Sequence, residues 1–285
     1  AQATIPGSVL NQFSLDEYNG YLRVATTSYS QLANRTQAQV NNVYVLNSGL
    51  KVVGALEGLA PNEKIYSVRF LGDVGYVVTF ERIDPLFAIS FADPTHPTVL
   101  SALKLTGFSD YLQPMGNGNL LGVGMQTVPA PHEQGYVLYL GVKVSTFHVD
   151  QNGSSSEVSS FVVGDRGSST PVSGDHRAVA YDSTRGIVAF PVYVALVDNS
   201  TGTAQPWDYG KGVWQGAYLF HVSSQGVLEK VGDISQIPTG AGVDQSSQLF
   251  ISRIVLIGDF VYTISSSQVQ VNSLADMSLV STVSL

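Results

Sequence analysis

The sequence contains no cysteine. That excludes disulfides, thiolate metal sites and a cysteine nucleophile together. Charge is also scarce: Asp, Glu, Lys and Arg make up 13% of the 285 residues, against about 25% in ordinary soluble domains. The balance is acidic, with a net charge of −8, and the 14 Lys and Arg residues are scattered. Nucleic acid is therefore not an expected partner, because phosphate binding needs clustered basic side chains. No run of 18 apolar residues occurs, so no membrane-spanning helix is expected. The start, AQATIPGSVLNQF, lacks the basic and apolar regions of a signal peptide. Its Ala-Gln opening suits a mature end left by signal cleavage, and equally an arbitrary boundary. The sequence has no G-x-S-x-G, H-E-x-x-H or G-x-x-x-x-G-K-[ST] motif. Its five histidines (His96, His132, His148, His176, His221) show no metal-ligand spacing. No catalytic residue, metal or cofactor is expected.

Hydrophobic residues make up 44% of the chain, enough for a large core. They are arranged in repeats. An apolar strand, a polar turn and a second strand recur from Val43 (VYVLNSGLKVVGALEGL), Leu86, Val144, Ala217 and Val269. A second hairpin precedes each of these. IYSVRFLGDVGYVVTF from Ile65 is echoed by ISRIVLIGDFVYTIS from Ile251, both with Gly-Asp followed by Tyr three positions on: Gly72, Asp73, Tyr76 and Gly258, Asp259, Tyr262. Looser versions begin at Ser14, Tyr111 and Arg177. Gly, Asn or Asp stands at each turn, where a tight hairpin needs positive φ. Two hairpins per unit make four strands, and five units make twenty. Four short strands repeating at roughly 40–60 residues select a β-propeller among all-β folds. The expected fold is all-β, a β-propeller of about five four-stranded blades in one domain over 1–285, with blades near 11–58, 64–107, 108–165, 175–235 and 249–285.

The phrases FSLDEYNGYLRVATT, VVGALEGLAPNEKIYSVRFLGDVGYVVTF, DPLFAISFADPTHP and GFSDYLQPMGNGNLLGVG resemble the family of secreted bacterial and archaeal proteins with a C-terminal β-propeller domain. The resemblance is dense from Asn11 to Met125 and returns in DHRAVAYDSTRGIVAFPV and ISRIVLIGDFVYTIS. It implies a propeller fold and export, with no agreed reaction. Family members usually carry further sequence upstream, so the resemblance also implies that these five blades either close alone or form part of a larger ring.

The most informative local stretch is VDNSTGTAQPWDYGKGVWQ, residues 197–215, which holds both tryptophans, Trp207 and Trp214, with Asp208 and Tyr209 between them. It reads as a loop joining the second and third strands of the fourth blade. Loops at residues 26–39, with Tyr29, and 126–134, with His132 and Glu133, are expected beside it on one loop-rich face. Long loops on a rigid scaffold carry function, and aromatic rings beside acids suit sugar rings or peptide segments. The bland alternative is that the two tryptophans fold the loop onto a blade. Arg69, Arg177 and Arg253 read as first-strand residues, either a ring of charge for an anion or ion pairs with Asp110 and Asp175. Arg82 and Asp84 are further binding candidates, and His148 and His221, at matching repeat positions, read as structural. Asp150-Gln-Asn-Gly153 begins like a calcium loop but lacks the remaining ligands; it reads as a hairpin turn. Sequons stand at Asn34, Asn152 and Asn199 and favour an extracellular or cell-surface location.

The expected function is a non-catalytic extracellular binding or scaffold module for glycan or protein. The alternatives are a self-associating subunit of a surface layer or filament, and a polysaccharide hydrolase using a pair among Asp16, Glu81, Asp84, Asp110 and Asp175.

Overall fold

A computed structural model describes residues 1–31, 37–80, 84–133, 136–150 and 153–285. Strands dominate, and the only helical segments among the described residues are short 3-10 turns. Five four-stranded sheets follow one another along the chain, each a meander in sequence order. The first holds β1 (Leu15–Tyr18), β2 (Tyr21–Gln31), β3 (Gln37–Leu46) and β4 (Val52–Leu59). The second holds β5 (Lys64–Leu71), β6 (Val74–Phe80), β7 (Asp84–Ser90) and β8 (Thr98–Leu105). The third holds β9 (Phe108–Gly116), β10 (Asn119–Pro129), β11 (Val137–Val149) and β12 (Ser155–Val163). The fourth holds β13 (Ala180–Asp182), β14 (Ile187–Leu196), β15 (Lys211–Val222) and β16 (Leu228–Ile234). The fifth holds β17 (Arg253–Ile257), β18 (Phe260–Ile264), β19 (Gln268–Ser273) and β20 (Leu279–Ser284). The five four-stranded blades read from the repeats are all present.

The turns explain the register. Asn19-Gly20 and Asn117-Gly118 close two-residue hairpins with positive φ at both central positions, the backbone that matches strand twist. Gly72-Asp73 and Gly258-Asp259 use the glycine alone, at φ 55° and 56°. A second device repeats with them. The end of the third strand donates a backbone hydrogen bond to the first hairpin turn of its own sheet: Phe91 N to Asp73 O (2.7 Å), Val149 N to Gly118 O (2.9 Å), Val222 N to Gly186 O (2.8 Å) and Leu274 N to Asp259 O (2.8 Å). His148 and His221 sit just before two of these donors, and His148 Nδ1 lies 2.9 Å from Asn119 Oδ1.

The chain divides into two compact units, residues 1–120 with 148–156 and residues 121–147 with 157–285. In the first, Ala25, Val43 and Val45 of the first sheet pack on Ile65, Val68, Phe70, Val77, Ile89 and Phe91 of the second. In the second, Ala189, Ala217, Leu219 and Ile234 of the fourth sheet pack on Ile251, Ile254 and Val261 at the fifth. Sheets buried on both faces need apolar residues at consecutive positions, which is why FPVYVAL and YVVTF do not alternate.

Four sequence assignments change. The expected loop at 126–134 begins only after Pro129, because β10 runs through residues 126–129. Arg177 lies in the 3-10 turn His176–Ala178, capped by Asp175, rather than in a first strand; Arg69 and Arg253 are in β5 and β17 as expected. Trp214 belongs to β15 and pairs with Val194, so the loop ends at residue 210. The expected loop at 26–39 is mostly ladder, because β2 and β3 pair from Leu22↔Leu46 out to Gln31↔Gln37.

Candidate functional site

Three chain segments of the second unit build the most chemically loaded surface in the described structure. The first lies between β10 and β11, where Ala130 N donates to Tyr136 O (2.8 Å) and Tyr136 N to Glu133 O (3.1 Å). The second, residues 164–168, follows β12. Asp165 N donates to Ala195 O (2.8 Å) and Gly210 N donates to Arg166 O (2.7 Å), so this segment lies against the root of the third, the 197–210 loop. Gly167 makes that approach feasible: its φ is 106°, and a Cβ there would meet Ala195 Cβ at 3.2 Å. A Cβ on Gly210 would stand 2.7 Å from the Leu196 backbone.

The 197–210 loop is held by its own polar side chains. Asp198 Oδ1 accepts from Ser200 N (2.9 Å), Asn199 Oδ1 from Ala204 N (3.2 Å) and Asp208 Oδ2 from Gln205 N (2.8 Å). The hydrogen bond from Ser200 is the main cause holding the Asp198 carboxyl below its ordinary range. Asp165 Oδ2 accepts from Val197 N (2.9 Å) and closes the loop at its base.

On this frame the rings face outward. Trp207, 39% exposed, lies 4.9 Å from His132, ring centre to ring centre. Tyr209 is 70% exposed and Tyr136 66%. The Arg166 guanidinium sits 4.3 Å over the Tyr209 ring, and its Nη2 donates to Tyr209 Oη at 3.1 Å. Arg166 Nη1 is buried and donates to no acceptor among the described residues. Two surface hollows of about 490 and 500 Å³ share Arg166 as a wall. Asp165, Asn199, Gln205, Pro206 and Asp208 line one; His132, Glu133, Tyr136 and Trp207 line the other.

The expected residues thus separate. Trp207, Asp208, Tyr209, His132 and Glu133 come together at this surface. Trp214 does not: its ring packs over Gly216, where a Cβ would meet it at 2.5 Å, and lies 5.0 Å from Tyr218. Arg69 is spent inside the first unit, with Nε donating to Leu112 O at 2.8 Å and its guanidinium 3.6 Å over Phe13 and 5.1 Å over Tyr111. Arg177 grips Asp175 through Nε (2.9 Å) and Nη2 (2.8 Å), and Arg253 pairs with the same carboxylate. Asp16 is taken by the buried Arg23. Arg82, Glu81, Asn34 and Asn152 lie outside the described residues, as does the side chain of Asp84, whose backbone opens β7. Asn199 is exposed at the wall of the first hollow. Sequence reasoning missed Arg166 and Tyr136. The signal for Arg166 was local: GDRG, a charge bracketed by Gly164 and Gly167, both at positive φ.

With blades and site placed, the comparisons agree with the repeats: the Beta propeller domain family matches residues 1–277. The chain belongs to that family. An uncharacterized protein of Archaeoglobus fulgidus is 39% identical over 188 residues, 66% of this chain and 27% of its own length. Uncharacterized protein MJ1554 of Methanocaldococcus jannaschii is 38% identical over 189 residues, again 66% of this chain and 28% of its own length. The chain thus spans little more than a quarter of the curated relatives it matches. Among solved structures, the C-terminal WD40 domain of Sif2 aligns over 94% of this chain and 67% of that one, at 12% identity and a TM-score of 0.44. Among the described residues of this propeller, no helix is long and apolar enough to cross a membrane.

Proposed function

We propose that this propeller is a non-catalytic extracellular binding module that takes glycan on the surface formed by Trp207, Tyr209, Tyr136, His132 and Arg166. The observation that carries the reading is the pair of hollows walled by Arg166, one polar and the other lined by His132, Tyr136 and Trp207, with the exposed Tyr209 against the same guanidinium. A sugar offers apolar ring faces for Trp and Tyr, and hydroxyls that both donate and accept. Glu133, Asp165 and Asp208 would accept from those hydroxyls, and Arg166 would donate to them. The sparse charge and the sequons support an extracellular setting. The hydrolase alternative loses two of its carboxylates, since Asp16 and Asp175 are held by guanidinium groups.

The test is a titration of the whole chain with a panel of neutral and acidic oligosaccharides, repeated with Tyr209→Ala and Arg166→Met. The reading expects saturable binding that each substitution weakens by about tenfold, since loss of one good stacking or charged contact is worth roughly 1–2 kcal/mol. A panel with no binder, beside a purified protein ligand lost in the same variants, would turn the reading to a protein partner. Saccharide binding untouched by both substitutions would sink the site.

A further inference from the structure

Arg166 differs from every other described arginine in what its guanidinium holds. Arg23, Arg177, Arg185 and Arg253 each form an ion pair with an aspartate, and Arg69 donates to the Leu112 carbonyl. Arg166 has neither kind of acceptor. Among the described residues it donates only to the Tyr209 hydroxyl, and its buried Nη1 donates to nothing. A guanidinium carries five N–H donors in one plane, and a half-buried cation without a counter-charge is costly. The chain keeps that cost at the place where two hollows meet.

The position is fixed before any ligand arrives. The Arg166 carbonyl accepts from Gly210 N (2.7 Å), and the guanidinium lies 4.3 Å over the Tyr209 ring. The carboxylates nearby do not neutralise it, since no described residue forms an ion pair with Arg166. Asp165 and Asp208 each turn an oxygen to a loop amide instead.

The two hollows then differ in what they admit. The first has both Asp165 and Asp208 in its wall, which suits hydroxyls and repels an anion. The second has Glu133 as its one acid, beside His132, Tyr136, Trp207 and Arg166. We propose that Arg166 makes this surface selective for acidic saccharides. A uronate sugar stacked on Trp207 and Tyr136 in the second hollow sets its carboxylate on the Arg166 guanidinium and supplies the missing counter-charge. This inference rests on the glycan reading of the same surface. The chain carries a net charge of −8, so long-range attraction opposes a polyanion, and the preference comes from this contact.

The experiment is calorimetry on the whole chain with an oligomer of galacturonic acid and with the same oligomer after its carboxyls are reduced to alcohols. The wild type should bind the acid about tenfold more tightly, the worth of one charge-assisted, two-pronged contact. Arg166→Met should bring the two dissociation constants within about twofold of each other. Arg166→Lys should keep about a threefold preference, because an ammonium retains the charge without the planar fork. Trp207→Ala should weaken both saccharides in parallel and leave the tenfold ratio intact.

Equal binding of the two oligomers by the wild type overturns the proposal and leaves the glycan reading standing. A tenfold preference that survives in Arg166→Met overturns it too, since the carboxylate is then read elsewhere. If Arg166→Met melts early, Arg166→Lys decides, and an undiminished ratio there is equally fatal. Binding of neither saccharide, or of an acidic peptide in place of both, removes the glycan reading and the proposal with it.

Discussion

Arginine does different work at neighbouring repeat positions, and its surroundings decide which. Arg69 is half-buried between Phe13 and Tyr111 with a carbonyl on Nε, so desolvation pulls its pKa down while Tyr111 opposes the shift. Arg69→Ala should lower stability by about 2 kcal/mol, from lost ring contacts and an unpaired Leu112 carbonyl. Arg69→Lys should recover less than half of that, because an ammonium cannot lie flat between rings; denaturant unfolding measures both. Asp175 makes the complementary case. Hydrogen bonds from Arg177, then the charge of Arg253, hold its carboxyl far below the usual range. A depressed folded pKa stabilises above the unfolded value near 3.9 and is lost as pH falls through the lower folded one. Melting temperature should therefore fall with acid below about pH 4, and Asp175→Asn should flatten that fall while lowering stability at neutral pH. An unchanged acid limb in Asp175→Asn would count against a stabilising role for the Asp175 ion pairs.

At the scale of the element, the turns set the strand register, and the 197–210 loop carries the proposed binding surface. Gly20 and Gly118 both sit at positive φ, 80° and 75°. A Cβ on Gly20 meets nothing within 4 Å, whereas one on Gly118 meets Val149 O at 2.4 Å. Gly20→Ala should cost about 1 kcal/mol from backbone strain alone, and Gly118→Ala clearly more; thermal unfolding ranks them. The two tryptophans divide likewise. Trp214→Ala should cost about 3 kcal/mol by opening a void over Gly216 and spare ligand binding. Trp207→Ala should leave melting near the wild type and weaken binding. Legibility follows the same division. Strands and turns were readable because period, Gly-Asp punctuation and repetition agree on them. The loop's end was misread because KGVWQG carries turn-like glycines, while the ladder from Ala195↔Gly212 onward continues through them. Arg166 was legible only as a charge between two glycines, GDRG; the folded path of 164–168 sets its guanidinium over Tyr209.

For the whole molecule, five four-stranded meanders follow one another along the chain, and the repeats that encode them are visible in the sequence. Partner choice does not follow from the fold; the proposed binding surface rests on three segments far apart in the chain that meet at Arg166. The chain holds only two tryptophans, which permits a direct reading of that surface. Trp214→Phe leaves Trp207 as the single indole, exposed beside His132. Its emission is then followed while the saccharide selected from the panel is added to the whole chain. The expected result is a saturable shift to shorter wavelength at the same midpoint as binding measured by calorimetry, with that midpoint raised about tenfold by Tyr209→Ala. Calorimetric binding of that saccharide with unchanged Trp207 emission would place the ligand elsewhere and contradict the assignment.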